Sequence, residues 1–375
     1  MQTSLGDRSG RRLLPVLLGL GLAVTTAHVS RGGEVEEASQ IEERGTLGEA
    51  QEEAAEAREL HERIEVGLYP SAEFYPAMDF GEFEANAYQP GGRLRVTMPV
   101  APRAALRLVV RGSALLTDFS DVSQNLFDPG GPKTSEDPYG NLYQASVQLQ
   151  GGWRSPWKGA FSDDETWTLV GEGFARSRWE EGFDFGKAID GGGALGIGYQ
   201  VGDWLEILAG AGVESRRFSG GIGVFPVVEI NWDFAPGWQL RQRGRGGEIQ
   251  YEIDEDTSVF VMGGLHSRSY RLAERPGGVG EGRLRDKYVP VGLGVRWDAR
   301  PGVELTLTAG ALIERKIRIE NQSRQDLGHV RSGPSPFVSF QIELRPDRFG
   351  RGSSAAETHG ETGAVSSSSS TSRSR

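Results

Sequence analysis

A histidine beside a serine is the first pattern in this sequence that suggests chemistry. His266, Ser267 and Arg268 follow one another, and a serine nucleophile needs a basic histidine within hydrogen-bond reach. In an extended strand neighbouring side chains point to opposite faces, so His266 and Ser267 should be separated. The residue that shares the face of His266 is Arg268, which is no nucleophile. We therefore predict no catalytic residue here and no enzymatic activity for the chain.

Metal and cofactor motifs are equally incomplete. The chain has no cysteine, which removes thiolate metal sites and any disulfide framework. Asp254, Glu255 and Asp256 resemble a fragment of a calcium loop but lack the remaining ligands, so a turn is predicted. The glycines from Gly193 to Gly198 are not in the dinucleotide-binding order and suit a strand of small residues. The sequence predicts neither a metal nor a cofactor.

The elements around these motifs are long alternating strands. Between Val227 and Asp233, apolar Val228, Ile230 and Trp232 alternate with polar residues, and a turn at 235–237 follows. The same alternating pattern with a short turn recurs near 291–308, and similar alternation occurs near 199–207 and 251–260. Strict period-two alternation joined by short Pro/Gly/Asp turns is typical of antiparallel β-hairpins. Each hairpin then has one apolar face and one charged face.

The charged face favours a closed barrel over a sandwich. Burying so many charges in an apolar sandwich core costs several kcal/mol each unless they are paired, whereas a solvated lumen tolerates them. We predict that the following residues face a lumen: Glu206, Glu214, Glu229, Asn231, Glu252, Arg296, Glu304 and Glu314. A soluble sandwich with these residues on its outer faces remains the alternative.

Tryptophans and turn lengths point to a membrane. Short turns alternate with longer polar loops, as in outer-membrane barrels. Seven of the eight tryptophans lie beside the short turns, where an indole ring suits a bilayer–water interface. The predicted interface girdle is formed by Trp153, Trp167, Trp204, Trp232, Trp238 and Trp297.

The two ends of the chain differ from the strand region. Residues 1–27 combine arginines, a short apolar run and small residues, which predicts a secretory signal peptide. Residues 28–64 are predicted to be an acidic periplasmic linker or helix. Residues 34–63 contain eleven glutamates and three arginines, so this segment holds most of the net charge of −11. Residues 65–345 are assigned to the barrel, and residues 346–375 to a disordered Ser/Gly/Arg-rich tail.

Together these patterns predict an all-β protein. The expected fold is an antiparallel up-and-down transmembrane β-barrel of about 12 strands, within a range of 12–14, in the outer membrane of a Gram-negative cell. The expected function is a passive pore or a structural or anchoring barrel. The alternatives are a soluble or surface-exposed β-sandwich that binds a ligand, and a lipid-modifying barrel enzyme. Whether the lumen is open and whether the chain oligomerises are left undecided.

Three stretches carry a resemblance to a known family. They are Val228 to Leu240, Glu248 to Ile253, and Tyr288 to Val295. They resemble an uncharacterised bacterial family of outer-membrane β-barrel proteins, over residues 139–344. The resemblance implies a barrel in the outer membrane and no assigned activity. The chain departs from this family in its acidic segment and in a final strand that lies well before the C-terminus.

The expected partners follow from this location. They are outer-membrane lipid and the barrel-assembly machinery, with no nucleic acid. A barrel usually ends on an aromatic residue that the assembly machinery reads, and Phe349 is only a weak substitute here.

Overall fold

The computed structural model describes residues 64–80, 84–101, 103–120, 139–158, 165–216, 221–243, 245–274, 282–321 and 325–346. The predicted signal peptide, almost all of the acidic segment and all but the first residue of the tail lie outside the described residues, so the predicted domain boundaries stay predictions. No helix in the described part of the chain is long and apolar enough to cross a membrane. One 3-10 turn is present at Phe185–Ala188, where the Asp184 carboxylate accepts a 2.9 Å bond from the Gly186 N–H.

The described residues form sixteen strand segments. In chain order they are β1 Glu65–Asp79, β2 Glu84–Ala101, β3 Ala104–Ser120, β4 Leu142–Lys158, β5 Glu165–Glu180, β6 Ile189–Val201, β7 Leu205–Arg216, β8 Gly221–Ala235, β9 Trp238–Arg243, β10 Gly246–Glu252, β11 Thr257–Gly264, β12 His266–Arg271, β13 Arg283–Arg300, β14 Val303–Glu320, β15 Asp326–Ser332 and β16 Ser335–Leu344.

These segments make a closed antiparallel barrel of fourteen strands. Neighbours in sequence pair from β1 to β11, and the ring closes through β11–β13, β13–β14, β14–β16 and β16–β1. β11 and β12 both pair with β13 and form one interrupted strand. β15 and β16 share β14 in the same way. Closure leaves no free sheet edge around most of the wall, which excludes the sandwich alternative.

The strand count is 14, so the prediction of about 12 is wrong, although 14 is the upper end of the predicted range. The two extra strands come from the two stretches that were hardest to interpret. The chain near residues 65–79 is a full strand, and residues 238–252 form a short hairpin, β9–β10. An even count also brings both ends of the barrel to one rim, where Leu68 pairs with Leu344.

The connections divide into two rims. The turn rim carries the connections at 102–103, 159–164, 202–204, 236–237, 253–256 and 301–302. The loop rim carries the connections at 80–83, 121–141, 181–188, 217–220, 272–282 and 321–325. Several residues expected in long loops are strand instead, notably β15 within 320–334. The two longest connections, 121–141 and 272–282, lie at the loop rim as predicted, whereas other loop-rim connections are as short as those of the turn rim.

Apolar side chains cover the outside of the wall. Along β8, Ile222 and Val224 are 76% and 59% exposed, whereas Phe225, the next residue, is 2% exposed. Leu195, Ile197 and Leu293 are exposed on other strands in the same alternating way. Exposed apolar side chains on a wall whose inner side holds the buried residues are what a membrane-embedded barrel requires.

One strand breaks the alternation. Tyr288 pairs with Arg315, but the next pair is Pro290 with Leu312, so β14 contains one extra residue between them. Such a bulge moves the following side chains to the opposite face. Beyond it, Arg315, Ile317 and Ile319 are buried, whereas Glu314 is exposed.

Inward phenylalanine rings lie across glycines of neighbouring strands. The Phe260 ring occupies the place of a side chain at Gly294, where an added Cβ would be 2.1 Å from its Cζ. Phe225 covers Gly212 in the same manner, whereas Gly310 lies against the Val291 carbonyl and the Phe337 ring. Each glycine therefore leaves room for a ring that fills the inner face of the wall.

We expect Gly294→Ala to destabilise the barrel by about 1–3 kcal/mol, because the new methyl group overlaps a ring that is 5% exposed. Urea unfolding of the refolded protein measures this. The matched control is Gly173→Ala, where an added Cβ meets no atom within 4 Å. Combining Gly294→Ala with Phe260→Ala should remove the overlap. Equal destabilisation by Gly294→Ala and Gly173→Ala would contradict this packing.

Candidate functional site in the barrel interior

The inner face near the turn rim is a ladder of ion pairs. Arg296 lies 3.2 Å from a Glu304 oxygen and 3.6 Å from a Glu248 oxygen, and it donates a 2.6 Å bond to Gln250. Arg241 approaches Glu248 from β9 at 3.7 Å. Charges of both signs therefore alternate across β9, β10, β13 and β14. Because these side chains remain partly exposed, this half of the interior is polar and accessible to solvent.

A second ion-pair group lies where the ring closes. The Tyr69 hydroxyl donates a 2.9 Å bond to Glu343, and Arg95 lies 3.3 Å from the same carboxylate. Arg345, just beyond the last strand, also bonds Glu343. Burial by itself would lower the pKa of the Arg345 guanidinium, but its bond to Glu343 and the charge of that carboxylate raise the pKa above its ordinary value. Arg345 thus stays cationic and fixes the end of β16.

The half of the interior near the loop rim is filled by a cluster of apolar side chains. Its members come from β1–β4, β12–β14, β16 and the adjoining connections, and each is at most 6% exposed. They are Tyr75, Met78, Phe80, Ala85, Ala87, Leu115, Tyr139, Leu142, Tyr270, Leu272, Leu284, Tyr288, Leu312, Ile317, Ile319 and Phe337. We call this cluster, together with Arg268, Arg315 and Asp286, the plug.

Strand segment β12 leans across the interior to complete the plug. Arg271 at its end pairs with Trp179 of β5, although these strands are far apart in the ring. Arg268 donates a 2.6 Å bond to Gln89 on β2, and its guanidinium lies 5.5 Å from the centre of the Tyr288 ring. These contacts join opposite walls. They narrow the barrel at the loop rim.

Glu180 anchors the end of β12 to the wall. One carboxylate oxygen accepts a bond from the Gly140 N–H, and the other accepts a 2.8 Å bond from the Ala273 N–H. Glu180 is only 1% exposed. A single buried carboxylate therefore connects the chain before β4 with the chain after β12.

A buried ion pair stiffens the other side of the plug. Arg315 donates two bonds to Asp286, at 2.9 and 2.7 Å, and neither residue is more than 3% exposed. Its remaining guanidinium nitrogen contacts the sulfur of Met78 on β1. Two parallel N–H···O bonds hold this guanidinium in one orientation. The bulge at Glu314 turns Arg315 inward.

The residues predicted to face the lumen have several environments. Glu214 and Glu229 are buried, and Glu214 accepts a 2.9 Å bond from Arg176. Arg296 and Glu304 are brought together in the ladder. Glu206 and Asn231 are half-buried, whereas Glu252 and Glu314 are exposed, beside a turn and beside the bulge. The assignment of all eight residues to a lumen stays a prediction.

The six predicted girdle tryptophans all lie in or beside turn-rim connections. Five of them are between 40% and 49% exposed, and Trp232 is half-buried. Trp167 packs on Tyr199 with ring centres 4.5 Å apart, and Trp238 packs on Tyr251 at 4.8 Å. Their role as a membrane girdle stays a prediction.

The sequence interpretation left open whether the lumen is filled, and it did not identify the residues that form the plug. Gln89, Arg315 and Asp286 were not among the residues predicted to face the interior. One signal for them existed, because β12 reads His-Ser-Arg-Ser-Tyr-Arg and has no aliphatic face. A barrel strand without an apolar face does not suit a lipid-facing wall, which indicates a segment with protein on both sides.

The histidine and acidic motifs form no reactive group in the part of the chain that the structure describes. The His266 ring stacks on Tyr288 with centres 4.8 Å apart, and Ser267 is 6% exposed. Asp254 accepts a 3.0 Å bond from the Asp256 N–H, within a turn. Among the described residues, no group of three or more acidic or histidine side chains is placed to hold a metal ion.

Comparisons with known proteins reveal only distant structural similarity. No protein-family model matches the chain, and no curated protein sequence matches it. A monoaromatic hydrocarbon channel, the TodX deltaS2 mutant, has a TM-score of 0.40 and 11% identity, covering 75% of this chain and 90% of that one. An outer membrane channel from Pseudomonas putida F1 has a TM-score of 0.38 and 9% identity, covering 75% and 94%.

The translocator domain of the autotransporter NalP from Neisseria meningitidis is a third similar structure. Its TM-score is 0.28 at 11% identity, covering 80% of this chain and 94% of that one. At TM-scores this low we draw neither a substrate nor a mechanism from these three proteins.

Proposed function

We propose that this chain is an outer-membrane channel whose interior is open and polar toward the turn rim and closed by the plug toward the loop rim. The observation that supports it most directly is the set of contacts across the interior, Arg268 to Gln89 and Arg271 to Trp179. An ordinary open pore has no need of such contacts.

The spacing of aromatic residues supports a membrane position. Trp167 and Trp179 share one face of β5 and lie twelve residues apart. At the usual rise and tilt of barrel strands this spacing corresponds to about 30 Å along the membrane normal, close to the thickness of the hydrocarbon layer. Trp179 stacks with Tyr143 and contacts Phe185 edge to face. These aromatics would form the outer girdle, and the turn-rim tryptophans the periplasmic one.

The polar ladder supports a water-filled half. Arg241, Glu248, Arg296 and Glu304 are each between a fifth and a third exposed, which suits side chains bordering water inside the barrel. The orientation follows from the rims, because outer-membrane barrels place short turns in the periplasm. The water-filled half would then open to the periplasm, and the plug would control passage to the outside.

A structural or anchoring barrel is the second candidate. It is favoured by the same plug, because small barrels are often filled by their own side chains. The two candidates differ in whether the plug ever moves. A lipid-modifying enzyme receives no support from the His266 and Ser267 environments.

Two measurements test the proposal. On a denaturing gel, membrane-extracted protein should migrate differently before and after boiling, as closed barrels do. In planar bilayers the wild-type protein should conduct weakly or in brief openings. A mobility that does not change on boiling would contradict the barrel in the membrane, and a large steady conductance would contradict the plug.

A further inference from the structure

The outward face of the barrel wall changes from apolar to basic near the loop rim. On β13 the residues of this face, followed from the turn rim, are Trp297, Val295, Leu293, Val291, Val289 and Lys287. Val291, Leu293 and Val295 are between 43% and 66% exposed. Lys287 is therefore the first charged side chain beyond the lipid-facing apolar residues of this strand.

The neighbouring strands become basic at the same level. Lys287 pairs in register with Lys316 on β14, and Lys316 pairs with Arg331 on β15. The adjoining pair, Arg315 and Ser332, is buried on the plug side. Alternation along the strands therefore places Lys316 and Arg331 on the outward face. We call Lys287, Lys316 and Arg331 the basic row; Arg331 is exposed and the two lysines are half-buried.

The basic row places three cations side by side across neighbouring strands. Side chains directly opposite each other in a sheet have Cβ atoms about 5 Å apart, and like charges at such positions are destabilising. No ion pair joins Lys316 or Arg331 to another residue in the described part of the chain, whereas Lys287 has interactions of its own. An anion bound between Lys316 and Arg331 would relieve their repulsion.

The acidic side chains on this face do not neutralise the row. Glu320 and Asp326 lie further toward the loop rim, and their carboxylates are 3.4 and 3.1 Å from Arg318. Glu314, exposed at the bulge, is the remaining acidic residue on this face of β13–β15 near the loop rim. Lys316 and Arg331 together outnumber this single carboxylate.

The level of the basic row corresponds to the edge of the membrane in the proposed orientation. Lys287 and Trp297 lie ten residues apart on one face of β13. At the usual rise and tilt this spacing corresponds to about 26 Å along the membrane normal, close to the apolar band of about 25 Å in outer-membrane barrels. With the turn rim in the periplasm, the row meets the headgroup layer of the outer leaflet.

We propose that the basic row binds the anionic phosphate groups of a lipid in the outer leaflet. The guanidinium of Arg331 can donate two parallel bonds to a phosphate, and the lysines add positive charge. The lipid chains would lie on exposed apolar residues directly beside the row, such as Leu293 and Ile313, which a free phosphate ion does not use. This inference rests on the proposed function, because it needs the loop rim at the outer surface.

Stabilisation by an added lipid tests the site. In neutral detergent, diphosphoryl lipid A should raise the urea midpoint of the wild-type protein, because a ligand that binds only the folded state stabilises it. The double variant Lys316→Gln with Arg331→Gln should need a lipid concentration about tenfold higher for the same shift. Without lipid this variant should be at least as stable as wild type, because a repulsion is removed.

Matched controls separate this site from general charge effects. Arg103→Gln with Arg300→Gln removes two exposed cations from the turn rim and should keep the full lipid response. Inorganic phosphate should not shift the wild-type midpoint, and phosphatidylcholine should shift it little because its choline group balances the phosphate.

Three results would overturn the proposal. They are an equal lipid response in the Lys316→Gln, Arg331→Gln variant, the same loss of response in the turn-rim variant, or a full shift with inorganic phosphate alone. Gel mobility of the same samples tests the proposed function separately. A wild-type mobility that does not change on boiling contradicts the membrane barrel, whereas an intact barrel with any of the three results overturns only the lipid site.

Discussion

Replacing Glu180 with alanine is expected to convert a weakly conducting barrel into an open pore. The carboxylate accepts the N–H groups of Gly140 and Ala273, and it is the buried link that holds the end of β12 to the wall. Without it two backbone donors lose their acceptor, and the end of β12 is held by its pairing with β13, the contacts of Arg268 and Arg271, and the packing of Tyr270 and Leu272. Segments held by few contacts open at low free energy. We expect unitary conductance in planar bilayers to rise several-fold.

The neighbouring residue provides the control for this experiment. Glu181 is exposed and accepts a 2.8 Å bond from Asn141, so Glu181→Ala changes the same charge at the same rim without touching β12. Its conductance should equal that of wild type. A boiled and unboiled gel comparison confirms that both variants still fold. If Glu180→Ala folds and conducts no better than Glu181→Ala, β12 is not the gate.

Replacing Arg315 with methionine is expected to lower the free energy of unfolding by about 3–5 kcal/mol. The reason is that Asp286, 1% exposed, would remain buried in the plug without the two guanidinium bonds that now satisfy it. Urea unfolding in detergent measures the change. The double variant Arg315→Met with Asp286→Leu removes both charges, and we expect it to recover most of the loss.

A more exposed ion pair provides a comparison for this loss of stability. Arg318 and Asp326 are 3.1 Å apart, with side chains 29% and 39% exposed. Breaking that pair with Asp326→Asn should cost less than about 1 kcal/mol, because solvent screens it. Similar losses for Arg315→Met and Asp326→Asn would show that the plug pair is not desolvated in solution.

The strands and their two faces were predictable from the sequence. Alternation along β8 and β14 follows directly from side chains pointing to opposite faces, and the short turns follow from glycine and proline at fixed places. The tryptophans beside those turns were also visible as a pattern. These signals are local, because each depends on residues within one hairpin.

The strand count was harder to predict from the sequence, because two of the strands are short and a third contains a bulge. β9 and β10 have only six and seven residues, so their alternation is too short to distinguish a hairpin from one bent strand. The bulge at Glu314 adds one residue to an otherwise regular pattern. Both features depend on what the neighbouring strand provides.

The sequence by itself determined that this chain makes antiparallel strands with one apolar and one charged face, because apolar and polar residues alternate along each strand and neighbouring side chains point to opposite faces. Only the tertiary structure decided that the barrel is plugged near the loop rim. Arg268 and Gln89 are 179 residues apart, and Arg315 and Met78 are 237 apart. The first contact exists because β12 leans across the interior, and the second because ring closure places β14 and β1 on either side of β16.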